Sequence, residues 1–212
     1  PIVAMLAAND DKDVLLRHAG GLALSRLGDT AALGALAQHS SRGVRIAAIN
    51  ALRRLRSAEV ARFLTDSDDA IVLEAARAIN DDGSIEAALP ALARVLGTKA
   101  TAISANLKLG SAEALERLAS FAGTATGPQS MRVEAVSALG VWVEPSPLDR
   151  VDGIYLGQPT PRDGAAAQAA VLRLLQASSA ENAPALKIAL AEAAGRLGVQ
   201  GAAPVLLTQL KS

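Results

Sequence analysis

A single recurring pattern governs the reading of this chain: an apolar residue followed by a basic one, a small residue four positions after the first, and an Ala-Leu-like pair three positions later. It reads Leu16-Arg17…Gly20…Ala23-Leu24, Val44-Arg45…Ala48…Ala51-Leu52 and Met131-Arg132…Ala135…Ala138-Leu139. A fourth copy, Ile71-Val72…Ala75…Ala78-Ile79, keeps the apolar positions without the arginine, and weaker copies end at Ala105-Asn106 and Ala193-Ala194. The closing residues Leu24, Leu52, Ile79, Asn106, Leu139 and Ala194 are spaced by 28, 27, 27, 33 and 55 residues. Recurrence at such a period marks an array of supersecondary units. Within one copy Val44, Ala48, Ala51, Leu52 and Leu55 fall on one face of a 3.6-residue helix, while Arg45, Arg53, Arg54 and Arg56 fall elsewhere. Each copy therefore predicts a helix with a buried stripe and a solvated back.

Between the copies lie shorter apolar stretches over 30–38, 57–64, 84–96, 111–122 and 201–210. They are set off by Gly28-Asp29, Ser40 to Gly43, Asp66 to Asp69 and the Asp81-Asp82-Gly83 turn, residues that stop and restart helices. Short and long antiparallel helices alternate. One such pair cannot bury both its faces, so pairs must stack on one another. Composition agrees: half the residues are apolar, yet Phe, Trp and Tyr number four. A core of Ala, Leu, Val and Ile suits closely packed helices, and a β-sandwich would want far more aromatic and β-branched residues.

These repeats resemble the HEAT-like class, whose second helix commonly opens with Val-Arg and continues through small residues to Ala-Leu. The resemblance implies an all-α fold, an α-α superhelix (a HEAT/armadillo-like solenoid) of about five to six helical pairs. It makes residues 1–212 a single repeat domain. A period of 27 to 28 residues is short for a HEAT repeat, so the first helix of each pair is expected to be abbreviated or its turns unusually tight.

One segment breaks the pattern. Between Glu144 and Gly164 the prolines at 145, 147, 159 and 161 forbid a helix of normal length, and a Pro-rich extended loop is expected. Trp142 stands just before it and Tyr155 within it, half of the chain's aromatic residues. Long loops inside compact domains are often functional, and this one is the natural place to seek a binding surface. The alternative is that Trp142, Ile154, Tyr155 and Leu156 fold back and plug the gap between repeats. Asp149, Arg150 and Asp152 equally suit a local ion-pair and turn network worth little at a surface.

The run from Trp142 to Gly153, following Arg132-Val-Glu-Ala-Val-Ser-Ala-Leu-Gly140, is similar to the helical-repeat region of large bacterial proteins that join a sorbosone/glucose dehydrogenase-like β-propeller to a c-type cytochrome domain. The runs Val14 to Gly20 and Val72 to Asp82 look similar to the same region. This resemblance implies an exported, periplasmic parent whose redox chemistry lies elsewhere in its chain. The start at Pro1 rather than Met fits a segment cut from a longer precursor.

Chemistry within the chain itself is hard to find. There is no Cys, which excludes disulfides, thiolate zinc sites and c-type haem attachment. His18 and His39 have no histidine partner at metal-binding spacing, and Gly-x-Ser-x-Gly, Gly-x-Gly-x-x-Gly and the Walker pattern are missing. The clusters Asp10-Asp11-Lys12-Asp13 and Asp66-Ser67-Asp68-Asp69 precede long helices, where carboxylates cap free N–H groups, a fuller explanation than calcium. No catalytic residue, metal or cofactor is therefore expected. Twenty-one basic and twenty-one acidic residues cancel, arguing against nucleic acid, and no run is apolar enough to insert in a membrane. Arg17, Arg45 and Arg132 occupy equivalent places, either as a ladder for an acidic partner or paired with carboxylates of adjoining repeats. The expected function is a non-catalytic scaffold binding protein or neighbouring domains of its parent, through Arg17, Arg45, Arg132, Trp142, Asp149, Arg150 and Tyr155. The rival is a small-molecule-binding or enzymatic cleft near Trp142 with Asp149 and Asp152.

Overall fold

The computed structural model describes residues 1–81, 84–96, 100–178 and 183–209. Asp82 and Gly83 of the Asp81-Asp82-Gly83 turn lie outside the described residues, as do Leu210 and the Lys211-Ser212 end. Among the described residues the chain is all-α: it has no strand, and an isolated bridge between Leu148 and Tyr155 is its β feature. None of the described helices is long and apolar enough to cross a membrane. Two compact units divide the chain, Pro1–Leu92 and Ala93–Ser212.

The first unit holds α1 (Ile2–Asn9), α2 (Val14–Leu27), α3 (Thr30–Ala35), α4 (Arg42–Arg54), α5 (Asp69–Asn80) and the single-turn α6 (Leu89–Leu92). Side-chain caps fix where these helices begin. Asp13 accepts from the backbone N–H groups of Leu15 and Leu16, Asp29 from Ala32, Ser41 from Val44 and Asp68 from Ala70. The Asp-rich clusters thus supply caps to α2 and α5, each replacing a missing intrahelical partner at about 1 kcal/mol. The predicted stripe is buried: Val44, Ala48, Ala51 and Leu52 of α4, and Ile71, Ala75 and Ile79 of α5, form the core where α4 packs between α2 and α5. A Cβ at Gly20 would stand 2.5 Å from the Leu6 side chain, and one at Gly21 would stand 3.3 Å from the Ala47 carbonyl oxygen. The glycine pair lets α1 and α4 press against α2.

The elements between the long helices account for the short period. Residues Ala58–Thr65 form eight residues of 3-10 helix, α3 runs on into a 3-10 turn at Leu36–Gln38, and α6 is preceded by another at Glu86–Ala88. A 3-10 helix rises about 2.0 Å per residue against about 1.5 Å for an α-helix, so eight residues reach as far as roughly eleven α-helical ones. Val60, Phe63 and Leu64 of this segment are buried. A pair can therefore cross the core with fewer residues.

The second unit holds α7 (Ala100–Leu109), α8 (Ala112–Gly123), α9 (Gln129–Gly140), α10 (Ala165–Ala177), α11 (Pro184–Leu197) and α12 (Ala202–Gln209). The 55-residue gap in the pattern contains the loop and α10 together. Leu118, Val136, Leu139, Val171, Leu175 and Leu186 meet in its core. Asn106 stands where the other copies carry Leu, Ile or Ala, and it is wholly buried. Its amide donates to the Ala93 and Ala102 carbonyls, both at 2.8 Å, and its oxygen accepts from Arg117 Nε at 2.9 Å, which offsets the cost of burying a polar group.

Helix α9 comes so close to α11 that a Cβ at Gly140 would lie 3.1 Å from both Cα and Cβ of Ala193, whereas Gly195 of α11 has open space. Gly140→Val is expected to lower stability by about 1–3 kcal/mol through overpacking. Gly195→Ala, inside a helix and unobstructed, is expected to raise it by about 0.5–1 kcal/mol. Urea unfolding followed by far-UV circular dichroism checks both signs.

Candidate interaction surface

Arg17, Arg45 and Arg132 are each the fourth residue of their helix, α2, α4 and α9. A cation near a helix N-terminus meets the positive end of the dipole, so each needs local compensation. Arg17 and Arg45 find it in the turn just before their own helix, and Arg132 in the last turn of α8. Arg17 pairs with the Asp11 carboxylate; Arg45 Nη1 donates to the His39 and Ser40 carbonyls at 2.8 and 3.0 Å; Arg132 Nε donates to the Ala122 carbonyl at 2.8 Å. Arg45 also forms an ion pair with Asp66 at 2.8 Å, and Arg42 one with Asp68 at 2.9 Å, so α4 is joined to the turn that opens α5. Helix α5, with Val72 at the fourth position, has no such arginine. His39 belongs to the same turn, its Nδ1 accepting from the Ser41 N–H at 3.1 Å. Two of these arginines thus bind turns and the third, Arg132, is 3% exposed.

The interruption after α9 is built in the opposite sense to a surface loop. Trp142 is buried, 3% exposed, and the Arg162 guanidinium sits over its ring, 4.9 Å from the centroid. The Arg162 N–H donates to the Val143 carbonyl at 3.0 Å and closes the stem of the loop. Gly110, with φ of 60°, faces the same guanidinium: a Cβ there would lie 2.6 Å from the Arg162 Cζ. Burial lowers the Arg162 pKa from its ordinary value, and the cation–π contact is worth about 0.5–2 kcal/mol against that cost.

Between the two ends of the loop, residues 147–156 form a small hairpin. Asp149 N–H donates to the Ile154 carbonyl, Leu156 N–H to the Pro147 carbonyl, both at 2.8 Å, and Gly153 N–H to the Asp149 carbonyl at 3.0 Å. Asp149 is its anchor. The side chain is 1% exposed, and Oδ2 accepts from Lys108 Nζ at 2.7 Å and from Ser104 Oγ at 2.9 Å on α7. Oδ1 accepts from the N–H groups of Val151 and Asp152 at 2.7 and 3.1 Å. Arg150 fixes the same turn to α9, its Nε and Nη2 reaching Glu134 at 2.9 and 2.8 Å.

With the polar residues turned inward, the apolar ones face out. Tyr155 is 61% exposed, and Leu148, Val151, Ile154 and Leu156 are each more than a third exposed. Of the residues that sequence suggested would plug a gap, Trp142 does so, while Ile154, Tyr155 and Leu156 remain at the surface. The ion-pair network expected to be superficial is buried at Asp149. Of the seven candidate interaction residues, Arg132, Trp142 and Asp149 lie inside, Arg17, Arg45 and Arg150 are half-buried in ion pairs, and Tyr155 stands in solvent. Lys108, Ser104, Gly110 and Arg162 escaped sequence reasoning. The i, i+4 spacing of Ser104 and Lys108 on a helix was the one available signal.

No protein-family model matches the chain, and no curated protein matches it.

Burial alone would raise the Asp149 pKa, but Lys108 and the two N–H groups prevail and lower it from 3.8 to about 2. A depressed carboxylate stabilises the fold above its unfolded pKa and loses that contribution as pH falls through the folded one. About 2 kcal/mol of stability is therefore expected to disappear between pH 5 and pH 2. Asp149→Asn should flatten this part of the profile, and Asp149→Ala, which removes the carboxylate that Lys108, Ser104 and two backbone N–H groups share, should cost about 3–5 kcal/mol at neutral pH. Urea midpoints across the pH range provide the check.

Proposed function

We propose that this chain is a non-catalytic protein-interaction module made of HEAT-like helical pairs, and that a partner docks on the hairpin at 147–156. The carrying observation is the exposure of five apolar side chains, Tyr155 foremost, on a turn whose Asp149 is held by a buried ion pair. A rigid, outward-facing aromatic loses little freedom on binding, and tyrosine is enriched among residues that dominate interface energies. The successive packing of α2, α4 and α5, and of α8, α9 and α11, supports a repeat architecture within each unit.

The partner is a neighbouring domain of a larger exported parent, on the resemblance of the Trp142–Gly153 run to dehydrogenase-like proteins. The rival reading, a small-molecule cleft at Trp142, has less support, since that ring is buried beneath Arg162 and Asp149 is committed to Lys108 and Ser104.

Isothermal titration of the chain with the other domains of its parent, produced separately, tests the proposal. Binding is expected, and Tyr155→Ser should weaken it about thirtyfold, the loss of an anchor worth about 2 kcal/mol, with an unchanged circular dichroism spectrum. Affinity indifferent to Tyr155→Ser, or no binding to any parental domain, would sink the docking role.

A further inference from the structure

The first unit leaves one face of a long helix open. On α2, Leu16, Ala19, Ala23 and Leu27 recur at intervals of three and four residues, which sets them on one stripe of the helix. Leu15 borders the same stripe. None of the five is buried: Leu15 is 80% exposed, Leu27 68% and Leu16 36%, while Ala19 is exposed and Ala23 half-buried. On the next long helix the same positions are closed. In the recurring pattern Leu16, Ala19 and Ala23 correspond to Val44, Ala47 and Ala51 of α4, and each of those three is 0% exposed. Helix α2 packs on this side of α4, with Gly21 against the backbone of Ala47. The face by which α4 receives α2 thus reappears on α2 itself, uncovered.

The packing of α2 on α4 specifies what fits such a face: another long helix with small and aliphatic residues at the contact. Stacked helical pairs bury their faces against neighbours of the same kind, and a contiguous apolar patch on a protein surface marks an association site. The stripe is also self-complementary. Leu16 and Leu27 lie equally far from a midpoint between Gly21 and Leu22, and Ala19 and Ala23 stand on either side of it. Read from either end, the order is Leu, Ala, Ala, Leu. The two leucines are about 16 Å apart along the helix. No charged residue interrupts the stripe, and exposed Arg26 stands at its border, the arrangement of an apolar interface core with a polar rim.

We propose that this face binds a second copy of the chain, with α2 packed against α2 in antiparallel sense about a two-fold axis. Leu16 of one copy then meets Leu27 of the other at both ends of the contact. The alanines at its centre let the helices approach to the lower end of the usual interaxial range of about 8–10 Å. An antiparallel pair also sets the positive end of each helix dipole beside the negative end of the other. The same patch serves both subunits, so the contact closes at two copies and does not propagate. This surface lies in the first unit and does not rest on the docking role of the hairpin, so variants of Ala19 and of Tyr155 report separately.

Sedimentation velocity of the full chain over a wide range of concentrations tests the proposal, and a concentration-dependent dimer is expected. Ala19→Glu places two carboxylates in the symmetric contact and should weaken dimerisation at least about a hundredfold, and Leu27→Glu at least about tenfold. Tyr155→Ser should change it less than about twofold. Both glutamate variants replace side chains exposed in the single copy, and circular dichroism melts should show them folded. The chain has no Cys, so Leu16→Cys in one preparation and Leu27→Cys in another can be joined by a short bis-maleimide. The mixture should give cross-linked dimer, and either variant alone far less. A chain that stays monomeric overturns the proposal, as does a dimer indifferent to both glutamate variants or one dissolved by Tyr155→Ser. So does cross-linking of either cysteine variant alone as readily as the mixture, since that excludes the antiparallel pairing.

Discussion

The close approach of helix backbones is the constraint from which the rest of this structure follows. With four aromatic residues in 212, burial has to come from many small contacts, and alanine and glycine at the contact positions allow them. Gly21 against Ala47 and Gly140 against Ala193 bring one helix against the backbone of the next. Dispersion falls off steeply with separation, so an aliphatic core of this kind holds only if helix ends are placed accurately. The Asp and Ser caps, and the arginines that reach back into the preceding turns, fix those ends.

Much of this was legible in the sequence. The stripe from Val44 to Leu52 is buried as its spacing required, and Asp13 and Asp68 cap the helices they precede. Arg17 and Arg45 pair with Asp11 and Asp66, as a cation at a helix start needs compensation nearby. The 3-10 character of residues 58–65 was not legible, since apolar residues at i, i+3 and i+4 serve either helix. The short period hinted at it without saying which turns would be tight.

The hairpin defeated pattern reading for a different reason. Hydropathy assigns Asp149 to solvent, and the fold buries it; of the two places open to Ile154, Tyr155 and Leu156, the core and the surface, the fold takes the surface. This arrangement rests on Lys108 and Ser104, distant in sequence, which make ionised Asp149 cheaper to bury than sequence allows. A buried ion pair gains little over an apolar replacement, but it specifies one orientation of the turn. That orientation keeps the apolar side chains outside.

The placement of Trp142 has a spectroscopic consequence. It is the chain's single tryptophan, and Tyr155, the single tyrosine, lies in the same unit, whereas residues 1–92 carry Phe63 as their one aromatic. Near-ultraviolet emission therefore reads the second unit by itself. Stacked under a cation and shielded from water, the indole should emit to the blue and redden when the loop stem opens, while far-ultraviolet ellipticity follows the helices of both units. Divergence of the two signals during denaturation would measure directly how far the units share one cooperative transition.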